Sequence, residues 1–322
     1  HYVAKRFPSM PFKTLHDLLD TARGAHPGAL KVLLNLGQTV GQLLEKSGVS
    51  DPAHRAFIDG QLLDSMQIVS SGCTLTNGAY ALEVYRYGAQ YVPGGLATLA
   101  EDLADAIAAN GGQIHYATRA KRIIIENGKV RGIESHGRNF LSPVVISTAP
   151  VPDTIALTNH DQALSGLQRQ FEAMPEIWGA FTLYIGVKDS ALPSDALRFE
   201  QITDFDDHGI TENFLISSSA PGDLSRAPLG YRSITISTHV RAAEWFGLSE
   251  ADYYDKKRAF ESRILSRLEQ LFPGFTDQIV LLESGTPRTF QRFTLHSLGR
   301  VGGMPQTTSS AAFGAIHHTT PI

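Results

Sequence analysis

The stretch from Tyr91 to Pro150 constrains the fold more than any other part of the chain. Tyr91-Val92-Pro93-Gly94-Gly95 reads as a turn, and LATLAEDLADAIAANGG after it spaces Leu96, Leu99, Leu103 and Ile107 along one helical face. Gly111-Gly112 ends that helix. QIHYATRAKRIIIENGKVRGIES then predicts a short strand, a break at Thr118-Arg119-Ala120, and a hairpin turned by Asn127-Gly128. Asn-Gly is the strongest short-range hairpin signal, because both turn positions need positive φ. FLSPVVISTAP closes the block: Val144, Val145 and Ile146 predict a fully buried strand that runs into the small residues Ser147, Thr148 and Ala149.

On either side the pattern is less regular. Residues 1–70 read as helical, with Leu15, Leu18, Leu19 and Ala22 at helical spacing and a second apolar face through Leu30, Leu33, Leu34, Val40, Leu43 and Leu44. Gly48 ends that face, and Asp51-Pro52 gives a cap followed by proline at the first helical position. Beyond the block, residues 160–175 predict a helix. WGAFTLYIGVK, ENFLISSSAP and YRSITISTHV predict strands. YYDKKRAFESRILSRLEQLFPGF predicts a long amphipathic helix buried through Tyr254, Ala259, Ile264, Leu265, Leu268 and Leu271 and stopped at Pro273-Gly274. IVLLESGTPRTFQRFT returns to β character, with Arg288 and Arg292 as surface residues on an edge strand. GRVGGMPQTTSSAAFGA is a Gly-rich loop. The order is α+β rather than a regular βαβ alternation.

Composition removes several classes of function. Only 19% of the 322 residues are charged, 42% are hydrophobic and the net charge is −4, so the chain is neither disordered nor a basic nucleic-acid binder. Its length allows two domains. The single cysteine, Cys73, excludes a disulfide framework and reads as a small buried hydrophobe. His317 and His318 are adjacent and point apart, a poor metal pair; no metal site is expected. No apolar run is long enough to span a bilayer, so the chain is expected to be soluble or to lie on a membrane surface. Nucleophile-elbow, P-loop and G-x-G-x-x-G patterns are absent. What remains is chemistry carried by a bound cofactor, with the protein supplying placement and polarity. Phe181 and Tyr184, three apart on one strand, face opposite sides, so at most one of them lines a ligand tunnel.

Taken in order, VPGGLATLAEDL, GGQIHYATRAKRI, NGKVRGIES and PVVISTAP resemble the segments of the phytoene desaturase family, the FAD-dependent carotenoid desaturases and isomerases, with amine oxidases as more distant relatives. DPAHRAFIDGQLL before the block, and WGAFTLYIGV and SGTPRTFQRFTLHSLGRVGGMPQT after it, resemble desaturase segments too, so the likeness covers nearly the whole chain.

The resemblance implies an incomplete two-domain flavoprotein of the amine oxidase and phytoene desaturase type: an α+β substrate domain of mixed sheet plus helices, with part of a Rossmann-like FAD-binding domain. It divides the chain into a helical part of the substrate domain (1–90), a turn-helix, strand and meander of the FAD-binding domain (91–158), the substrate sheet and long helix (159–295), and a Gly-rich return (296–322). The family's N-terminal dinucleotide motif and its C-terminal flavin segment have no counterpart here, so the chain alone is expected to bind FAD weakly or not at all and to be inactive. Ala120, Thr148, Ala149 and Pro150 match cofactor-binding positions; Tyr91, Pro93, Gly94, Gly95, Gly302, Gly303, Met304 and Pro305 match positions facing substrate or flavin. From the residues alone, a plain strand end, a plain turn and a flexible loop stay open for the same three segments. No side chain is singled out as a catalytic acid or base.

The implied activity is desaturation of a carotenoid or similar long polyene by hydride transfer to flavin. The alternatives are flavin-dependent cis–trans isomerisation, a saturase or amine-oxidase relative, and a non-catalytic apolar-ligand module. The implied partners are an apolar substrate, a quinone or oxygen as electron acceptor, and a membrane surface met peripherally from the cytoplasm, with helices over 15–45 as the contact.

Overall fold

A computed structural model of the chain describes residue 35 and residues 37–308, apart from 85, 87, 89, 175–176, 194–195, 197–198 and 207. The early helix over 15–22, the leucines at 30, 33 and 34, and His317-His318 lie outside the described residues. The chain divides into two compact units, one comprising residues 1–90 and 175–315, the other residues 91–174 and 316–322.

The first unit is built on a five-stranded sheet of β4 (Trp178–Lys188), β5 (Phe199–Asp206), β6 (Gly209–Ser218), β7 (Tyr231–Arg241) and β8 (Ile279–Gly285), ordered β5-β6-β7-β4-β8. Every pair is antiparallel, where a mixed sheet was expected. β4 pairs with β7 along its whole length, from Trp178 opposite Arg241 to Lys188 opposite Tyr231. One face carries Phe181, Leu183, Ile185 and Val187 of β4 with Ile234 and Ile236 of β7, all essentially buried. The long helix α7 (Glu250–Leu271) lays Ile264 and Leu268 on that face. Phe181, Trp245 and Phe260 meet there, with centroids 5.1–5.7 Å apart. Tyr254 and Leu271, expected in the core, are exposed, because the helix's buried stripe is narrower than its apolar one.

The opposite face of the sheet is polar, and α2 (Pro52–Met66) packs against it at β5 and β6. Asp51 caps α2 by accepting from Ala53 N at 2.8 Å, with Pro52 at the first helical position as expected. Gly60 makes the close approach possible: a Cβ there would stand 2.8 Å from Thr203 Oγ1 and 3.3 Å from Asn213 Oδ1. A smaller cluster joins α1 (Val40–Lys46), α2 and α3 (Leu75–Val84) through Val40, Leu44, Leu62, Cys73 and Ala81. Burial first, and the charge of Asp59 second, push the Cys73 thiol up to about 12, so it stays protonated and inert. After β8 the chain forms α8 (Pro287–Thr294), not the expected strand. Thr286 caps it from outside and Pro287 opens it, so Arg288 and Arg292 stand on a helix.

The second unit begins with α4 (Leu96–Ala109) and a meander of β1 (Arg122–Glu126), β2 (Lys129–Ser135) and β3 (Arg138–Leu141), again antiparallel. The turn between β1 and β2 is at Asn127-Gly128, with φ of 53° and 68° as a two-residue hairpin requires. Two short helices follow, α5 (Val151–Leu157) and α6 (Ser165–Glu172), and α5 packs on β1. Two expected strands do not form. Residues 112–115 and 144–148 carry no ladder, and Val144 and Ile146 are 68% and 86% exposed where full burial was expected. A strand needs a neighbour for its N–H and C=O groups, and the described residues supply none beside these segments. No parallel pair occurs among the described strands.

Candidate functional site

In the first unit, Leu63, Gln67, Ile68, Val69, Trp178, Arg241 and Pro305 line a cavity of about 340 Å3. Each wall follows from the fold. α2 ends with Gln67 in the left-handed region at φ 58°, which turns the chain so that Ile68 and Val69 double back beneath Leu63. Trp178 and Arg241 face each other because β4 and β7 begin and end at that register point. Pro305 is fixed because its neighbours are: Gln306 N donates to Met66 O at 3.0 Å, and Thr74 N donates to Gln306 O at 3.1 Å.

The lining is apolar but for Gln67 and Arg241. The Trp178 indole donates to Gln67 O at 3.1 Å, so its polar edge is satisfied and its ring is free to act as an apolar wall. Gln67 Oε1 is buried and accepts no hydrogen bond among the described residues. Arg241 is exposed at the rim and forms no ion pair with a described residue.

Asp64 and His239 lie just behind this wall. Asp64 Oδ1 is 3.7 Å from His239 Nδ1, and Gln201 Nε2 donates to Asp64 Oδ2 at 2.8 Å. Burial raises Asp64 from 3.8 to about 6 and lowers His239 from 6.5 to about 4. The two therefore do not carry opposite charges together: near neutrality a carboxylate faces a neutral imidazole, and this is not an ion pair.

The residues singled out from the sequence fall into both units. In the first, Gly302 N donates to Trp178 O at 3.1 Å, and a Cβ on Gly302 would run into the Gln67 side chain, so this glycine lets the loop close on the cavity wall. Pro305 lines the cavity; Gly303 is exposed and Met304 half-buried, and neither lines it. In the second, Pro93-Gly94-Gly95 forms the turn into α4, with both glycines at positive φ, 83° and 87°, which accounts for the Gly-Gly pair. Tyr91 is half-buried just before it. The N–H and C=O of Ala120 make no hydrogen bond to a described residue, whereas Lys121 N is tied to Glu134 O at 2.8 Å. Thr148 is exposed, Ala149 O accepts from Thr154 Oγ1 at 3.1 Å, and Pro150 O accepts from Thr154 N at 2.9 Å. Sequence reasoning missed Asp64, Gln67, His239 and Arg241; the packing of α2 on the sheet and the β4–β7 register bring them beside Trp178.

No family model matches the chain. Among curated proteins it is 31% identical to the chloroplastic prolycopene isomerase of Daucus carota, over 89% of this chain and 48% of that protein. It is 30% identical to that of Arabidopsis thaliana, over 89% and 49%. A 4,4'-diapophytoene desaturase of Methylomonas is 28% identical over 47% of this chain and 32% of its own length. The chain thus spans about half the length of the prolycopene isomerases it matches. In fold it is similar to an oxidoreductase from Methanosarcina mazei, with TM-score 0.57 at 21% identity over 80% of this chain and 59% of that one. It is also similar to cyclohexylamine oxidase from Brevibacterium oxydans, with TM-score 0.54 at 13% identity over 88% and 59%. Over the residues matched, the chain belongs to the phytoene desaturase family of carotenoid desaturases and isomerases.

Proposed function

We propose that the chain is the substrate-handling part of a flavin-dependent enzyme that acts on a carotenoid or a similar long polyene, with cis–trans isomerisation as its reaction. The observation that carries this reading is the cavity between α2, β4 and β7: apolar, walled by an indole whose polar edge is already occupied, and bounded by Pro305. At about 340 Å3 it sits at the small end of ligand pockets, room for one segment of a long polyene. A hydrocarbon makes no hydrogen bonds, so affinity must come from apolar contact, and Leu63, Ile68, Val69, Trp178 and Pro305 supply it.

Isomerisation takes precedence over desaturation because the relatives matched over nine-tenths of the chain are named prolycopene isomerases, while the diapophytoene desaturase matches half of it. Desaturation, the reaction first expected from the sequence, is the second reading and rests on that shorter match.

A flavin, when bound, would supply reversible hydride and electron transfer to the polyene. The free backbone groups of Ala120 and the exposed Thr148 fit the edge of an adenine ring, which needs one donor and one acceptor from the main chain. Ala149 and Pro150 spend their carbonyls on the start of α5 and fit only as apolar contacts. Tyr91 and Pro93–Gly95 in one unit, and Gly302–Pro305 in the other, are the residues we assign to the substrate or ring side. The apolar wall would hold the polyene by contact alone; none of the described side chains that line it is placed to move a proton onto carbon.

No described helix is long and apolar enough to cross a membrane. Peripheral contact with a bilayer, where such a substrate resides, belongs to the same proposal, as does a quinone or oxygen as acceptor in the desaturase reading. The test is incubation of the longest form the gene encodes with prolycopene, and separately with diapophytoene, under reducing conditions and then with a quinone. Conversion of prolycopene to the all-trans isomer supports isomerisation; new double bonds in diapophytoene support the second reading; unchanged substrate in every arm refutes both.

A further inference from the structure

The geometry points to Asp64 and His239 as a half-buried positioning pair that fixes the plane of Trp178, the aromatic wall of the cavity. Three elements meet at this point: Asp64 comes from the last turn of α2, His239 from β7 and Trp178 from the first position of β4. The rings of His239 and Trp178 stand edge to face, 5.9 Å between centroids and 84° between planes. The far edge of the indole is held by the bond to Gln67 O. Two contacts therefore hold the indole, the Gln67 carbonyl on its N–H and the imidazole ring edge to face with it.

The imidazole is itself held. Asp64 stands 3.7 Å from its Nδ1, and the field of the carboxylate favours the tautomer with the proton on that nitrogen. Asp64 is fixed by Gln201, whose amide also donates to Gly60 O at 2.9 Å and to Asn213 Oδ1 at 3.0 Å. Gln61 Nε2 donates to the side-chain oxygen Oε1 of Gln201, and Thr203 Oγ1 donates to Asn213 Oδ1 at 2.9 Å. A continuous set of contacts thus runs from the polar face of β5 and β6 through Asp64 and His239 to the cavity wall. Neither Asp64 nor His239 lines the cavity, so each acts through Trp178.

Burying a carboxylate and an imidazole costs free energy that a pair of apolar residues would not. Their shifted titrations, Asp64 upward and His239 downward, are that cost made visible. Arg241, two residues along β7 at the rim, is the charged side chain next to the pair on this face; Glu283 of β8, opposite Tyr184, and Lys188 at the other end of β4 share the face six and ten residues along β4 from Trp178. On the same side β5 presents Gln201 and Thr203, β4 presents Ala180 beside Trp178, and α2 presents Gln61 and Gly60, none of which titrates. Asp59 on α2 is turned away, accepting from Ser70 N at 2.6 Å. A change of charge at Trp178's back therefore comes from this pair.

The importance of Trp178 as a substrate wall rests on the function proposed above; its orientation by the pair does not. The test is fluorine NMR of the full chain labelled with 5-fluorotryptophan, which gives two signals because there are two tryptophans. The Trp178 signal is the one lost in Trp178→Phe. Titrated downward from about pH 7.5 with the fold followed by circular dichroism, it is expected to shift near pH 6 and again near pH 4, with the Trp245 signal still. Asp64→Asn should abolish the first step alone, and His239→Gln should broaden the signal and abolish the second. A Trp178 signal that stays put until the protein unfolds, or that titrates unchanged in Asp64→Asn, overturns the inference, and Asp64→Asn decides it even where His239→Gln does not fold. A separate arm measures lycopene in detergent micelles: His239→Gln should weaken its binding about tenfold, since small misplacements of a positioning group are costly. A wild-type chain that binds no lycopene counts against the proposed function and leaves the fluorine result to decide the pair.

Discussion

The two units of this chain treat their apolar residues in opposite ways. In the first, the sheet and α7 seal Phe181, Leu183, Ile236, Trp245, Ile264 and Phe275 almost completely from solvent. In the second, α4 buries no residue at all, and Leu96, at 74% exposure, heads a stripe with Leu99, Leu103 and Ile107 that faces water. Ile114, Tyr116, Val144 and Ile146 are exposed beside it in sequence, on segments with no ladder. The hydrophobic pattern is equally strong in both units, so pattern alone did not decide burial. A stripe is buried only where a second surface exists to receive it, and in the first unit that surface is the sheet.

The largest expected effect falls on the sealed side. Trp245→Ala should cost about 3–5 kcal/mol of stability, because a fully buried indole stacked on Phe181 leaves a cavity that its neighbours cannot fill. The midpoint of urea unfolding followed by circular dichroism checks this; a loss below about 1 kcal/mol would break the contrast between the units.

Asp64→Asn sharpens the contrast inside the first unit. The carboxyl's folded value, about 6, lies above its ordinary 3.8, so folding is favoured with the proton on. Its stabilising contribution is complete below about pH 4 and is lost as pH rises through 6, which makes ionised Asp64 a burden at neutrality. Asn keeps the acceptor for Gln201 without the charge. The variant should be more stable than the parent at pH 7 by as much as about 3 kcal/mol, and the gain should vanish on acidification. His239 has the opposite sign: its contribution is present above pH 6.5 and is lost as pH falls through 4. Unfolding midpoints across this range would show both.

In the second unit the turn carries more than the helix face. Gly128 holds φ at 68°, so Gly128→Ala should cost about 1 kcal/mol and loosen the β1–β2 pairing, read as faster amide exchange in the meander. Smallest of all, Leu99→Ala or Leu103→Ala should change stability by less than about 0.5 kcal/mol, as for any exposed site. Leu103→Lys should leave stability untouched and reduce binding of a hydrophobic dye. A large loss in any α4 variant would mean that the stripe is buried after all.

Local chemistry was legible in the sequence, and distant partnership was not. Asp51-Pro52, Asn127-Gly128, the long helix α7 and the strands β4 and β7 could be read directly, because each signal is contained in a few residues. β5 was missed because no clean alternation marks FEQITDFD. α8 was read as a strand from the apolar residues before it, although Thr286-Pro287 is itself a helix-start signal. Residues 144–146 were read as a strand from β-branching, which sets a preference and supplies no neighbour. The Pro305 end of the Gly-rich loop was singled out through family likeness, and Pro305 lines the cavity. Asp64, Gln67, His239 and Arg241 carry no local mark: their placement depends on α2 crossing the sheet and on the β4–β7 register.

The most direct test of the account follows prolycopene by chromatography of its isomers, comparing the longest gene-encoded form with its Trp178→Ala variant. All-trans product is expected from the parent, with conversion lowered about tenfold or more in the variant while its fold stays intact by circular dichroism. A parent that leaves prolycopene unchanged, or a variant that converts it at the parent's rate, would contradict a cavity walled by Trp178 as the place where the polyene is held.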